Sequence, residues 1–176
     1  MKTLLLKFPA RFAAILAAAV LLAGCAGYHL GPVNGETAGE KSVEVLPFNN
    51  QTLQPRLGDA VTQALREQLM ADGTYHLARS EGDIVVTGEI KDYTRVGLSY
   101  LNSDVLTASN YRVQIVAIVT ARDRETGKVL LDKKKVTGYT LVHVGTDLAD
   151  AERQAMPLLA QDLAQNVTQL LTEGAW

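Results

Sequence analysis

The side chains most often used for nucleophilic and metal chemistry are few here and far apart: one cysteine, Cys25, and three histidines, His29, His76 and His143. A zinc site needs several Cys, His or carboxylate ligands at short, defined spacings, and no H-E-x-x-H helix or cysteine pair supplies them. Neither G-x-S-x-G, a P-loop, nor a G-x-G-x-x-G following a strand pattern is present. Asp83, Glu89 and Asp92 lie close enough in sequence to suggest an acid–base set, but solvated carboxylates on strands and loops are common without catalysis. The expectation is a protein that is not an enzyme and holds no metal or diffusible cofactor. The chemistry that remains belongs to the sulfur of Cys25.

Lys2, Lys7 and Arg11 place three positive charges ahead of an uninterrupted apolar run from Phe12 to Leu22, followed by small residues and the cysteine. That is the layout of a signal peptide. The run is eleven residues long, whereas spanning a bilayer core takes roughly 20. Leu22-Ala23-Gly24-Cys25 matches the bacterial lipobox, in which small residues let a peptidase reach the bond before a cysteine that already carries diacylglycerol. A thiol so modified is no longer a nucleophile or redox group. The expectation is that residues 1–24 are removed, 25–40 form a lipidated leader, and 41–176 form a single domain. Each methylene of the attached acyl chains adds roughly 0.8 kcal/mol of membrane affinity, so two or three chains hold the protein firmly. Ala26 follows the cysteine where an Asp would favour inner-membrane retention under the enterobacterial sorting rule, which points to the outer membrane.

The removed segment carries three of 17 basic residues and none of the 19 acidic ones, which leaves 14 against 19 and a net charge of −5. Such a balance does not suggest nucleic-acid binding. The 152 residues after position 24 are enough for one domain with a real core.

The elements that must position any functional surface follow from periodicity. Ser42 to Phe48 alternates Val43, Val45 and Pro47 against Glu44, Leu46 and Phe48, a short strand at or near a sheet edge that ends in the Asn49-Asn50 turn signal. Leu57, Ala60, Val61, Ala64, Leu65 and Leu69 recur at helical spacing, which predicts a helix from about Pro55 to Ala71 closed by Asp72-Gly73. Thr74 to Ala78 suggests a short strand, and Asp83 to Tyr93 a longer one with Ile84, Val86 and Ile90 on one face. Residues 94–110 contain Gly97, Ser99, Asn102, Ser103 and Asn110 and suggest a 17-residue connection, although Val96, Leu98, Tyr100, Leu101, Val105 and Leu106 make it unusually apolar.

Tyr111 to Arg122 alternates most clearly of all, and Lys128 to Tyr139 returns from it across the Asp123–Gly127 turn. Lys133-Lys134-Lys135 breaks that alternation and suits an exposed edge that must not pair with neighbours. Met156, Leu159, Ala160, Leu163, Val167, Leu170 and Leu171 form one stripe of a final helix, in which Pro157 demands a start near Met156 or a kink. The expected fold is α+β: a mostly antiparallel or mixed sheet of four to five strands with both helices packed on one face.

Cys25-Ala26-Gly27-Tyr28-His29-Leu30 resembles the start of the LptE family of lipopolysaccharide-assembly lipoproteins, where a Gly-aromatic-x-Leu motif follows the acylated cysteine. Val43 to Phe48, RLGDAVTQALREQL from Arg56, DIVVTGEIKDY from Asp83 and SNYRVQIVAIVTARD from Ser109 resemble further elements of that family in the same order. The resemblance implies an outer-membrane protein that plugs an LptD-type β-barrel and helps deliver lipopolysaccharide, a role without catalysis. It also implies cations that meet lipid A and core phosphates. The candidates are Lys91, Arg95, Arg112, Lys133, Lys134 and Lys135, with Tyr28, Leu98, Tyr100 and Leu101 as candidate partner contacts.

VEVLPFNNQT, a helix and then DIVVTGEI also resembles the LpoB, CsgG and TolB-like group of envelope lipoproteins. That likeness implies a peptidoglycan-synthase activator or a secretion-pore subunit. An activator that reaches through the cell wall would want a long disordered linker, and this leader is short; nor does the group account for Gly27-Tyr28-His29-Leu30.

Overall fold

The computed structural model describes residues 39–101, 104–144 and 147–173. The elements in order are β1 (Ser42–Val45), β2 (Asn49–Asn50), α1 (Leu57–Asp72), β3 (His76–Ala78), β4 (Ile84–Leu101), β5 (Asp104–Asp123), β6 (Val129–His143) and α2 (Leu148–Glu173). They form one mixed sheet of six strands in the order β3-β1-β4-β5-β6, with β2 also beside β4. This is the α+β class expected, with one strand more than the sequence suggested. β1 runs parallel to β3 and β4, while β4, β5 and β6 form an antiparallel meander.

β1 lies one strand in from the edge, and Pro47 explains why it stops. Val45 pairs with Val86 and Asn49 with Glu89, so the chain spends four steps where β4 spends three. The extra residue falls at the proline, which has no N–H to give the ladder. It also flips the alternation, so Phe48 joins Val43 and Val45 in the core instead of facing away with Glu44. The Phe48 ring lies against Gly88, where an added Cβ would sit 2.1 Å from a ring carbon. Thr62 Oγ1 accepts the Phe48 N–H at 2.9 Å and donates to the Gly58 carbonyl at 2.7 Å, so the crossing is tied to α1.

Both helices cover the same face of the sheet. α1 buries Leu57, Val61, Leu65 and Leu69, and α2 buries Leu159, Leu163, Val167 and Leu171, against Ile84, Val86, Ile90, Ile115, Ala117 and Val119 of the central strands. Gly73 closes α1 with φ 75° and donates its N–H to the Leu69 carbonyl. The second helix begins earlier than the apolar stripe predicts. Asp147 Oδ1 accepts the Ala149 N–H at 2.8 Å, a capping bond that starts the helix two turns ahead of Pro157. Pro157 is exposed inside the helix. No helix among the described residues is long and apolar enough to cross a membrane.

The largest correction concerns residues 94–110. Residues 94–101 and 104–110 are strand instead of loop: β4 runs on to Leu101 and β5 starts at Asp104, paired from Ile84↔Asp123 to Leu101↔Asp104, while Asn102 and Ser103 lie outside the described residues. Of the residues that suggested a connection, Gly97, Ser99 and its partner Asn110 instead mark register shifts, at Gly97/Ser99 and Ser99/Tyr100, and a further shift falls at Tyr100/Leu101. Small polar residues tolerate such bulges without ending the ladder. An earlier shift between Ile90 and Asp92 exchanges the faces, so Tyr93 and Arg95 point to the helix side although Ile84 to Ile90 sets the opposite parity.

The triple lysine has a related origin. Val119 pairs with Lys134 and Ala121 with Leu131, two steps against three, so β6 carries a bulge at Asp132–Lys133. Lys133 adopts φ 45°, a left-handed conformation that costs a non-glycine residue roughly 1–2 kcal/mol. The bulge keeps Leu131 and Val136 in the core and places the cations between them on the surface.

Candidate functional site

The face of β4, β5 and β6 opposite the helices has no cover among the described residues. Its cross-strand rows are Val96–Arg112–Leu141, Thr94–Gln114–Tyr139, Asp92–Val116–Thr137 and Glu89–Ile118–Lys135. Val96, Tyr139 and Leu141 are 56%, 54% and 62% exposed, and the Arg112 guanidinium lies 5.5 Å from the centre of the Tyr139 ring. That contact is a cation–π interaction. Tyr and Arg are residue types enriched at protein–protein interfaces.

Toward the β1–β2 crossing the same face holds a groove of about 550 Å³. Leu46, Pro47 and Ile118 give it apolar walls, and Lys91, Lys133, Thr87 and Thr120 give it polar ones. Lys91 forms an ion pair with Glu89 and donates to Gln51 Oε1 at 3.1 Å, so its ammonium is held in place. Lys133 makes no ion pair among the described residues.

The candidate cations are therefore divided. Lys91 and Lys133 share the groove, Lys135 lies on the open face beside it, and Arg112 lies on the same face six residues along β5 from Ile118. Lys134 pairs with Val119 and lies on the other side of β6. Arg95 points to the helix side and bonds Glu152 of α2 at 3.1 Å. Burial and then the Glu152 carboxylate raise the neighbouring Tyr93 hydroxyl to about 12, so this cluster clasps the start of α2 to the sheet. Among the candidate partner contacts, Leu98 is exposed at a bulge. Tyr100 and Leu101 are on β4 with side chains outside the described set, and Cys25 and Tyr28 lie outside the described residues. Among the described residues no group of three or more His, Cys, Asp or Glu could hold a metal ion.

Sequence reasoning missed Tyr139, which read as the last residue of an ordinary strand, and Leu141, which lay beyond the expected end of a strand that runs to His143. Their signal was in hand, because on a half-covered sheet a large apolar residue on the polar parity is out of place. It also missed how the free edge of β6 is guarded. Asp162 of α2 accepts the Tyr139 N–H at 2.9 Å, and the Asn166 amide donates to the Thr137 carbonyl at 2.9 Å. Two side chains one helical turn apart thus take the place of a neighbouring strand. Gly138 lets the helix approach, since a Cβ there would be 2.7 Å from the Leu163 nitrogen.

A third cluster closes the opposite end of the sheet. Asp123 accepts the Thr126 N–H and hydroxyl, both at 2.8 Å, and pairs with Lys41 at 3.3 Å. The Thr126 bonds above all hold its carboxyl down to about 2. Asp83 is lowered in the same way by the N–H and hydroxyl of Ser42. These bonds order the turns.

Two helices on one face of a mixed sheet, with a mixed polar and apolar surface open on the other, define a small α+β domain. The model of the lipopolysaccharide-assembly family LptE matches residues 40–171, and the chain belongs to that family; it is a lipoprotein of the LptE type. No curated protein matches the sequence. Among solved structures, a protein from Xanthomonas campestris is 12% identical with a TM-score of 0.55, over 81% of this chain and 91% of its own. A hypothetical protein from Chlamydia trachomatis is 12% identical with a TM-score of 0.54, over 75% and 95%. A minor lipoprotein from Acinetobacter baumannii is 15% identical with a TM-score of 0.50, over 77% and 98%. At such identities the likeness is one of fold.

Proposed function

We propose that this protein is anchored through acylated Cys25 to the periplasmic side of the outer membrane, where it serves as plug and partner of an LptD-type β-barrel and contacts lipopolysaccharide during assembly. The observation that carries the reading is the LptE family match across residues 40–171. The open sheet face supports it. A barrel lumen is polar and walled by strands, and a sheet surface that mixes Thr, Gln, Arg and Tyr with aliphatics suits such a wall better than it suits lipid tails. The role requires a rigid body and placed charges, with no bond made or broken by the protein.

Co-purification tests the partnership. Tagged full-length protein from detergent-solubilised envelopes should bring down an outer-membrane barrel in one-to-one ratio. Recovery of a peptidoglycan synthase in its place would move the protein to the LpoB, CsgG and TolB-like group. The anchor is tested separately: Cys25→Ala should abolish acylation by mass spectrometry and release the protein from the membrane fraction.

A further inference from the structure

We propose that the free edge of β6 at Leu141–His143 receives an extended segment of a partner chain as an added strand. Thr137 turns its carbonyl to Asn166 and Tyr139 its N–H to Asp162, so the odd-numbered residues here face away from β5. Val144 agrees with this parity, since it gives its N–H back to the Ser109 carbonyl at 2.9 Å. Leu141 and His143 therefore present backbone N–H and C=O groups outward, and among the described residues nothing bonds those groups. The guard stops there because of its spacing. α2 runs back along β6, and four helical residues advance roughly 6.0 Å while two strand residues advance about 6.8 Å. Asn166 stands at Thr137 and Asp162 at Tyr139, so Leu158 stands at Leu141. At this third step a leucine takes the place of a polar side chain.

Leu158 is 58% exposed on the helix side of the edge, and Leu141 is exposed on the open face. Unpaired strand backbone between two exposed leucines fits an extended segment: ladder hydrogen bonds attach it, and consecutive side chains, which alternate in direction, cover Leu158 and Leu141 in turn. The partner segment thus carries two consecutive apolar residues, and it lengthens the row Val96–Arg112–Leu141 by one strand. A second β6 does not fit. Paired antiparallel about Leu141, it would set its own His143 against Tyr139, whose N–H Asp162 already holds. A strand of another chain can begin at Leu141 and run on past His143. The site and the kind of partner follow from the edge alone; the identity of that partner as an assembly barrel rests on the function proposed above.

Residue-resolved amide exchange of the full-length protein in detergent tests the edge. The Leu141 N–H should exchange at least about tenfold faster than those of Thr140 and Val142, which face β5. Leu158→Asp adds a third acceptor to the guard and should slow the Leu141 amide about tenfold, as one hydrogen bond does, while the protein unfolds no earlier in urea. Leu158→Asn should do the same without an added charge. Photo-crosslinking in cells tests the strand, with benzoylphenylalanine in place of Leu141, Leu158 or, as a control, the exposed Met70 of α1. Crosslinks from positions 141 and 158 should map to neighbouring residues of one partner segment, and Leu158→Asp should cut the yield from position 141 about tenfold. A slow Leu141 amide in the isolated native protein, crosslinks to a second copy of this chain, or yields no higher than from Met70 would each overturn the proposal. If a barrel co-purifies but positions 141 and 158 do not crosslink to one segment, the added strand is wrong and the proposed function stands. If they map to one segment of a protein that is no barrel, the reverse holds.

Discussion

The two faces of the β4–β6 sheet are made from the same strands, alternate residue by alternate residue, and have been built to different rules. On the helix side, Ile115, Ala117, Val119 and Ala121 are fully buried, and Gly88 and Gly138 are small because Phe48 and Leu163 press against them. On the open side, Val96, Tyr139 and Leu141 stand exposed around Arg112, which lies over the Tyr139 ring, and no element among the described residues covers them. The first face is constrained by the volume of its own chain. The second is left uncovered by the described residues. The difference teaches that the packed core and the open surface are held on opposite parities of one sheet, so each can be altered with little effect on the other.

The strongest way to break this division is a pair of truncations. Leu163→Ala on the helix side should cost about 2–5 kcal/mol in urea unfolding, whereas Leu141→Ala on the open side should fall within about 0.5 kcal/mol of the native protein. Comparable losses at both would show that the open face is structural. Next in size is the edge guard. Asp162→Ala with Asn166→Ala should remove about 1–2 kcal/mol, since two hydrogen bonds to strand backbone vanish, and should produce concentration-dependent self-association in sedimentation velocity. A variant that remains monomeric would mean that the lysines of the bulge suffice to keep the edge free.

Relief of backbone strain is a smaller effect with the opposite sign. Lys133→Gly should stabilise the fold by up to about 1 kcal/mol, in contrast to any glycine placed elsewhere in β6. The acid limb sharpens the comparison from the closed end of the sheet. Asp123 and Asp83 have carboxyls below their ordinary values in the fold, so their contribution is complete above about pH 4. It is lost as pH falls through the folded value, about 2 for Asp123. Asp123→Asn should therefore flatten the stability profile between pH 4 and 2 and leave the neutral-pH binding of the open face unchanged.

Much of the architecture was legible because burial imposes a period. Leu57 to Leu69 and Leu159 to Leu171 gave both helices, and the alternation from Tyr111 to Arg122 gave the central strand. The distal half of the long hairpin was not legible, because Gly97, Ser99 and Asn110 carry the same signal whether they end a strand or bulge within one. Only the partner strand decides between the two. Phe48 was assigned to the wrong face for a kindred reason, since Pro47 adds a residue to the register that period-two counting cannot see. Of the six candidate cations, Arg95 moved to the helix side through one such shift and Lys134 lies across β6 from its neighbours.

The sequence by itself determined the lone cysteine in its lipobox setting, the absence of the common catalytic motifs and the family pattern, since these depend on residue type and order along the chain. The tertiary structure alone decided which residues share a surface. Lys91 meets Lys133, Arg112 meets Tyr139, and Asp162 meets the edge of β6 because bulges reset strand parity and a glycine lets a helix approach. Parity and approach distance depend on the packed partner, and no single stretch of chain contains its own partner.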